Sequence, residues 1–141
     1  MAMSPGTYLR KRREAADLSV DDVAAMLPTE PRTAALSRAE WLRRIEADVV
    51  PIGNDVAAAL RYAFAFDASV LRRLEDLRTS PGLPEPRLCR ICACSEYDAC
   101  LLSGSRGLEA CHWVEEDRCS ACLPDGEPGQ AAASPESRAA A

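Results

Sequence analysis

The placement of the cysteines limits this chain more than any other feature. All seven fall between Cys89 and Cys122, with the spacing C-x2-C-x-C-x5-C-x10-C-x7-C-x2-C. Two C-x2-C knuckles, Cys89/Cys92 and Cys119/Cys122, bracket the segment. A knuckle of this kind lets two thiolates converge on one ion while backbone amides stabilise their charge. The stretch carries few large apolar residues, so burial alone would not hold its shape and a bound metal would supply much of its folding free energy. Disulfides fit poorly, because the count is odd and Met1 to Arg13 has no apolar run behind its basic cluster to act as a secretory signal. A catalytic thiol would need a base, and His112 is the one histidine.

Four thiolates close a tetrahedral zinc site, and Cys89, Cys92, Cys119 and Cys122 make the simplest one. Cys94, Cys100 and Cys111 then remain, to complete a second site with His112 or by sharing a bridging thiolate. The expected cofactor is therefore zinc, one or two ions. An iron–sulfur cluster, which thiolates alone can also hold, is the alternative.

Charge divides the chain in two. Residues 1–80 carry twelve Arg or Lys and twelve Asp or Glu, whereas residues 81–141 carry five and ten. The formal net charge of -5 thus comes from the second half, and any basic surface must be local to the first. The proline-rich run Ser80-Pro81-Gly82-Leu83-Pro84-Glu85-Pro86 interrupts helix and strand alike. It separates a helical domain, 1–79, from a cysteine module, 88–124, through a linker, 80–87. Beyond Leu123 nothing large is available to bury, and 125–141 reads as a disordered tail. No run approaches the roughly 20 apolar residues a membrane span needs. A cytoplasmic protein without a membrane partner is expected.

The first half reads as five short helices. Pro5 to Ala16 has helix-forming composition, and Ser19 stands three residues before Asp22 in a capping-box pattern, with Val20, Val23, Ala24 and Leu27 on one face. Ser37 with Glu40 is a second start signal, ahead of Trp41, Leu42, Ile45 and Val49. Val56, Leu60 and Ala63 mark a fourth helix, and Val70, Leu74 and Leu77 a fifth. Period-two alternation appears nowhere in this half. The expected fold is mainly α: a five-helix domain, a small metal-stapled module and the tail.

The segment Leu9-Arg10-Lys11-Arg12-Arg13-Glu14-Ala15-Ala16-Asp17-Leu18-Ser19-Val20-Asp21-Asp22-Val23-Ala24 resembles the phage-repressor-like helix-turn-helix family. Trp41-Leu42-Arg43-Arg44-Ile45-Glu46 is similar to the end of that family's third helix, and Pro51 through Leu71 to its closing helices. The connection before the third helix, filled by Pro28-Thr29-Glu30-Pro31-Arg32, is longer than the family's tight turn. The resemblance implies a double-stranded DNA partner. A helix fits the major groove, with Arg38 as the candidate for a base edge and Arg43 and Arg44 following it, while Arg10, Lys11 and Arg13 are candidates for phosphate contacts. The alternative for these side chains is a solvated face laced to Glu14, Asp17, Glu40 and Glu46.

The cysteine block resembles a small module of phage and prophage proteins, through Trp113-Val114-Glu115, Asp117 and Cys119-Ser120-Ala121-Cys122, although Leu101 to Ala110 is longer than its usual glycine turn. Its first four cysteines also have the spacing of the iron–sulfur loop in redox-sensing superoxide-response regulators. These resemblances imply metal binding in a mobile-element setting. Trp113 and Val114 read either as a miniature core or as a recognition tip. Glu109, Glu115, Glu116 and Asp117 make the module acidic, which points to dimerisation or a protein partner there rather than to phosphate. The resulting expectation is a DNA-binding transcriptional regulator. A metal-stapled protein adaptor and an iron–sulfur redox-sensing regulator are the alternatives. No paired carboxylates, Ser-His-Asp set or phosphate loop suggests an enzyme.

Overall fold

Three of the five helix starts in the first half follow side-chain capping chemistry, and the way α1 (Pro5–Ala15) begins also explains how it is anchored. Ser4 caps it, its Oγ accepting from the Thr7 amide at 3.2 Å, and Pro5 occupies the first position, where a missing N–H costs nothing. The Asp48 carboxylate then receives the Ser4 hydroxyl at 2.5 Å and the Gly6 amide at 2.8 Å. A Cβ on Gly6 would lie 2.5 Å from the Ile45 carbonyl and 2.7 Å from that of Glu46. Only glycine lets these two backbones meet so closely.

The computed structural model describes residues 2–28 and 34–124. The chain falls into two units, Met1–Pro86 and Arg87–Ala141, which divide inside the proline-rich segment. The tail expected over 125–141 lies outside the described residues.

α2 (Val20–Met26) has the capping box expected of it: the Asp22 amide donates to Ser19 Oγ at 3.0 Å and the Ser19 amide to Asp22 Oδ2 at 2.8 Å. α3 (Ala35–Glu46) departs from expectation. It starts before Ser37, with Ala34 at the cap and no side-chain cap bond. Ser37 and Glu40 lie inside the helix, where a spacing of three makes them neighbours on the exposed surface rather than a start signal. Val49, expected on the apolar stripe, lies past the helix and is exposed. α4 (Asn54–Leu60) buries only Leu60, and Ala63 falls in the turn after it. α5 (Ala68–Thr79) is capped by Asp67 and buries Val70, Leu71, Leu74 and Leu77.

α3 is the hub, with α1 and α2 packed on it and α5 on α1. Tyr8, Leu9, Val23, Leu42, Ile45, Leu60 and Leu74 are almost entirely buried between them. Each large side chain there contributes roughly 1.5–3 kcal/mol over remaining in water. Phe64 and Phe66, tilted with centroids 5.6 Å apart, close the space before α5. Among the described residues no helix is long and apolar enough to cross a membrane.

The five helices are present as expected, and the second unit adds strands to the mainly helical picture. It contains two small antiparallel hairpins, β1 (Leu101–Gly104) with β2 (Gly107–Ala110), and β3 (Trp113–Glu115) with β4 (Arg118–Cys119), followed by a single 3-10 turn, Ser120–Cys122. Both β1 and β2 are exposed along their whole length, so no alternation of apolar and polar residues marks them in the sequence. Their two-residue turn, Ser105-Arg106, ends at Gly107 with φ 108, a conformation glycine adopts readily.

Candidate metal centre

Three cysteines are gathered by one backbone turn. The Ala93 amide donates to the Cys89 carbonyl at 2.9 Å and the Cys89 amide to the Cys94 carbonyl at 3.0 Å. Ala93 takes the left-handed conformation, φ 60, which folds the chain back so that Cys89, Cys92 and Cys94 are buried together.

The lengthened Leu101–Ala110 segment positions two more. Its hairpin register pairs Leu101 with Ala110, and the ladder continues outward as the Cys111 amide donates to the Cys100 carbonyl at 2.8 Å. The Cys100 amide in turn points at Cys111 Sγ, 3.2 Å away. β3 and β4 deliver Cys119 opposite Trp113, and the turn after it carries Cys122.

The sulfurs converge. Cys92 and Cys100 are 3.6 Å apart, Cys92 and Cys119 3.7 Å, and Cys94 and Cys111 3.8 Å. Two groups of four have all their sulfurs within 4.8 Å of one another: Cys89, Cys92, Cys94 and Cys119, and Cys94, Cys100, Cys111 and Cys119. Each group could hold a metal ion. The simplest set expected from the knuckles is changed in one place, with Cys94 rather than Cys122 beside Cys89, Cys92 and Cys119. Cys122 packs against the cluster without joining either group. His112 is exposed and belongs to neither group, its amide donating to Ser120 Oγ at 3.1 Å.

Crowding polarises the thiols. Cys92 is held far below the ordinary thiol range, first by its hydrogen bond with Cys100 and then by that with Cys94, against the opposing effect of burial. Cys94 is driven far up, chiefly by Cys100 and Cys92. Cys100 is pushed up to about 11, first by Cys92, and Cys122 to about 12, first by burial. Cys119 also rises through burial and the Cys92 charge. One ionised sulfur thus suppresses its neighbours, and a divalent cation is what would let several ionise at once.

Arginines brace this cluster from outside. Arg87 lies over the Trp113 ring, 4.3 Å from its centroid, and its Nε donates to the Glu116 carbonyl at 2.8 Å. Trp113 itself is half-buried against the cysteines. Arg90 pairs with Glu115 at 3.1 Å and makes a short contact with Asp117, so part of the acidic surface has an internal counter-charge. These braces were not legible in the sequence, where Arg87 falls in the linker.

In the helical unit the six candidate basic residues separate. Arg13 is turned inward: Nε and Nη2 grip both oxygens of Glu46 at 2.6 and 2.9 Å, and Nη1 donates to the Leu18 carbonyl at 2.8 Å. Its guanidinium is raised above its usual pKa, first by the Glu46 hydrogen bond. Arg38 is buried too, its Nε 2.5 Å from the Ala24 carbonyl, which joins α3 to the end of α2. In this arrangement neither side chain is displayed to a base edge or a phosphate. Arg10, Arg43 and Arg44 are exposed and Lys11 is half-buried. Arg43 stands 3.9 Å from both Asp21 and Glu40.

No protein-family model, curated protein or solved structure matches this chain.

Proposed function

We propose that this chain is a DNA-binding regulator whose second unit is stapled by zinc. The observation that carries the reading is the spacing of the sulfurs. Zinc–thiolate bonds of about 2.3 Å place tetrahedral ligands about 3.8 Å apart. The separations of 3.7 Å for Cys92 and Cys119 and 3.8 Å for Cys94 and Cys111, each pair lying within one group, match that edge. An iron–sulfur cluster interposes inorganic sulfide between its irons, so thiolates on different irons stand farther apart than four sulfurs mutually within 4.8 Å. Bound in either group, zinc would supply a charge-neutralising cross-link, while the chain's hairpins and knuckles set its geometry.

DNA binding is supported by the packing of α2 against α3 and by the exposed Arg43 and Arg44 on α3, with Arg10 on α1. Protein purified without oxygen should be colourless and contain zinc, whereas colour with iron and sulfide would replace the zinc reading with the cluster. If Arg10, Lys11, Arg43 and Arg44 supply the phosphate contacts, log K for duplex DNA should fall with log salt at a slope of about -4 per chain. Replacing Arg43 and Arg44 by Ala should flatten that slope by roughly 2. Failure of duplex DNA to shift at any salt would reject this half of the proposal.

A protein-adaptor reading is favoured by one feature of α3. Leu36, 81% exposed, shares a surface groove with Trp41 and Val50. An apolar strip of this kind suits a protein partner better than phosphate.

A further inference from the structure

Building on the zinc reading, we infer that the centre holds two ions joined through Cys119, whose thiolate is a bridge belonging to both coordination spheres.

Cys94 and Cys119 are both common to the two four-sulfur groups, and each is only 1% exposed. In the second group Cys119 completes a set of four sulfurs with Cys94, Cys100 and Cys111. In the first it stands with Cys89 and Cys92, at 3.7 Å from the Cys92 sulfur. Two separate tetrahedral ions would need eight ligands. The chain offers seven cysteines, and the exposed His112 lies outside both groups. Sharing one sulfur removes the deficit. The fourth place beside Cys89, Cys92 and Cys119 falls to Cys94, which lies in that group, or to Cys122, which packs against it. Cys119 bridges in either arrangement, alone when Cys122 takes that place and together with Cys94 when Cys94 does. A bridging thiolate keeps Zn–S bonds to both ions at about 2.3 Å and spreads one negative charge over two cations.

The test is metal stoichiometry together with cadmium-113 NMR on the full chain loaded with cadmium. Two ions per chain and two resonances split by coupling to each other are expected, because only a shared sulfur carries that coupling. Cys111→Ser, which touches one sphere alone, should leave one ion and an unsplit resonance. Cys119→Ser should abolish the splitting where Cys122 takes the fourth place and weaken it where Cys94 bridges as well. An unchanged splitting would overturn the Cys119 bridge, and the result on the unsubstituted chain stands even if that variant does not fold. One ion per chain, or two unsplit resonances, would overturn the bridge while leaving the zinc reading intact. A chain that binds no metal, or that carries iron and sulfide, would overturn both.

Discussion

Arg13 and Glu46 are separated by half the helical unit in sequence, yet form its most constrained polar contact. Both side chains are less than a tenth exposed, and the guanidinium fork meets the carboxylate in two parallel bonds while its third arm holds the Leu18 carbonyl. The pair therefore ties the end of α1, the turn into α2 and the end of α3 at one point. Removing one partner leaves the other charge buried without compensation. Glu46→Ala should lower unfolding free energy by roughly 3 kcal/mol in chemical denaturation of the metal-loaded chain. A loss below about 1 kcal/mol would mean that water reaches the guanidinium and replaces the carboxylate. The sequence contains the clue only in retrospect: four consecutive basic residues on an 11-residue helix cannot all face water when the same helix must bury Tyr8 and Leu9. Arg38 teaches the same lesson. Its position near the start of α3 suggests a groove-facing side chain, but it lies four and seven residues before Leu42 and Ile45, on the same buried face of the helix, which turns it toward α2.

At the scale of elements, local chemistry was legible wherever it is self-contained. The Ser19/Asp22 box and the proline-started α1 depend on neighbours in the chain, and both stand where the residues imply. The hairpin at Leu101–Ala110 could not be read because its strands bury neither face, so it leaves no periodic signal. Its glycine-flanked Ser105-Arg106 turn was the one available hint. α5 owes its start to Asp67, whose Oδ1 accepts from the Ser69 amide at 2.8 Å and the Val70 amide at 3.3 Å. Burial raises the Asp67 pKa, but the Ser69 and Val70 bonds and the charge of Arg61 together carry it below its usual value. The folded carboxyl is thus more acidic than the unfolded one, near 3.9. Its contribution is complete above that value and is lost as pH falls through the depressed folded value. Stability measured by thermal unfolding should fall below about pH 4, and Asp67→Asn should flatten that portion of the profile while keeping the cap. An unchanged profile in the variant would assign the acid sensitivity to other carboxylates.

For the whole molecule, the two units are stabilised by different physics. The first rests on buried aliphatic and aromatic side chains, the second on a core made largely of cysteine, with Trp113 and Ala121 beside it. Structural zinc sites supply about 10–16 kcal/mol in small domains at neutral pH, far more than such a cluster could gain by burial. A strong chelator should therefore unfold 87–124, seen as collapse of its amide NMR dispersion, while the helical circular dichroism of the first unit survives. Retention of both signals after complete metal removal would place the stability of the second unit elsewhere. The two-part division itself was readable from the proline run and the clustered cysteines. What the sequence left open was the ligand partition, because knuckle spacing favours Cys122 while the fold brings Cys94 closer to Cys89 and Cys92. The exposed hairpin also bears on how such a centre assembles. Cys100 and Cys111 are joined by a hairpin with a two-residue turn and ten intervening residues, so an ion that gathers them closes only a short loop. An incoming ion meets little loop entropy on that side, whereas bringing Cys89 to Cys119 closes nearly the whole segment. Loading should accordingly begin at the hairpin and finish at the outer knuckles.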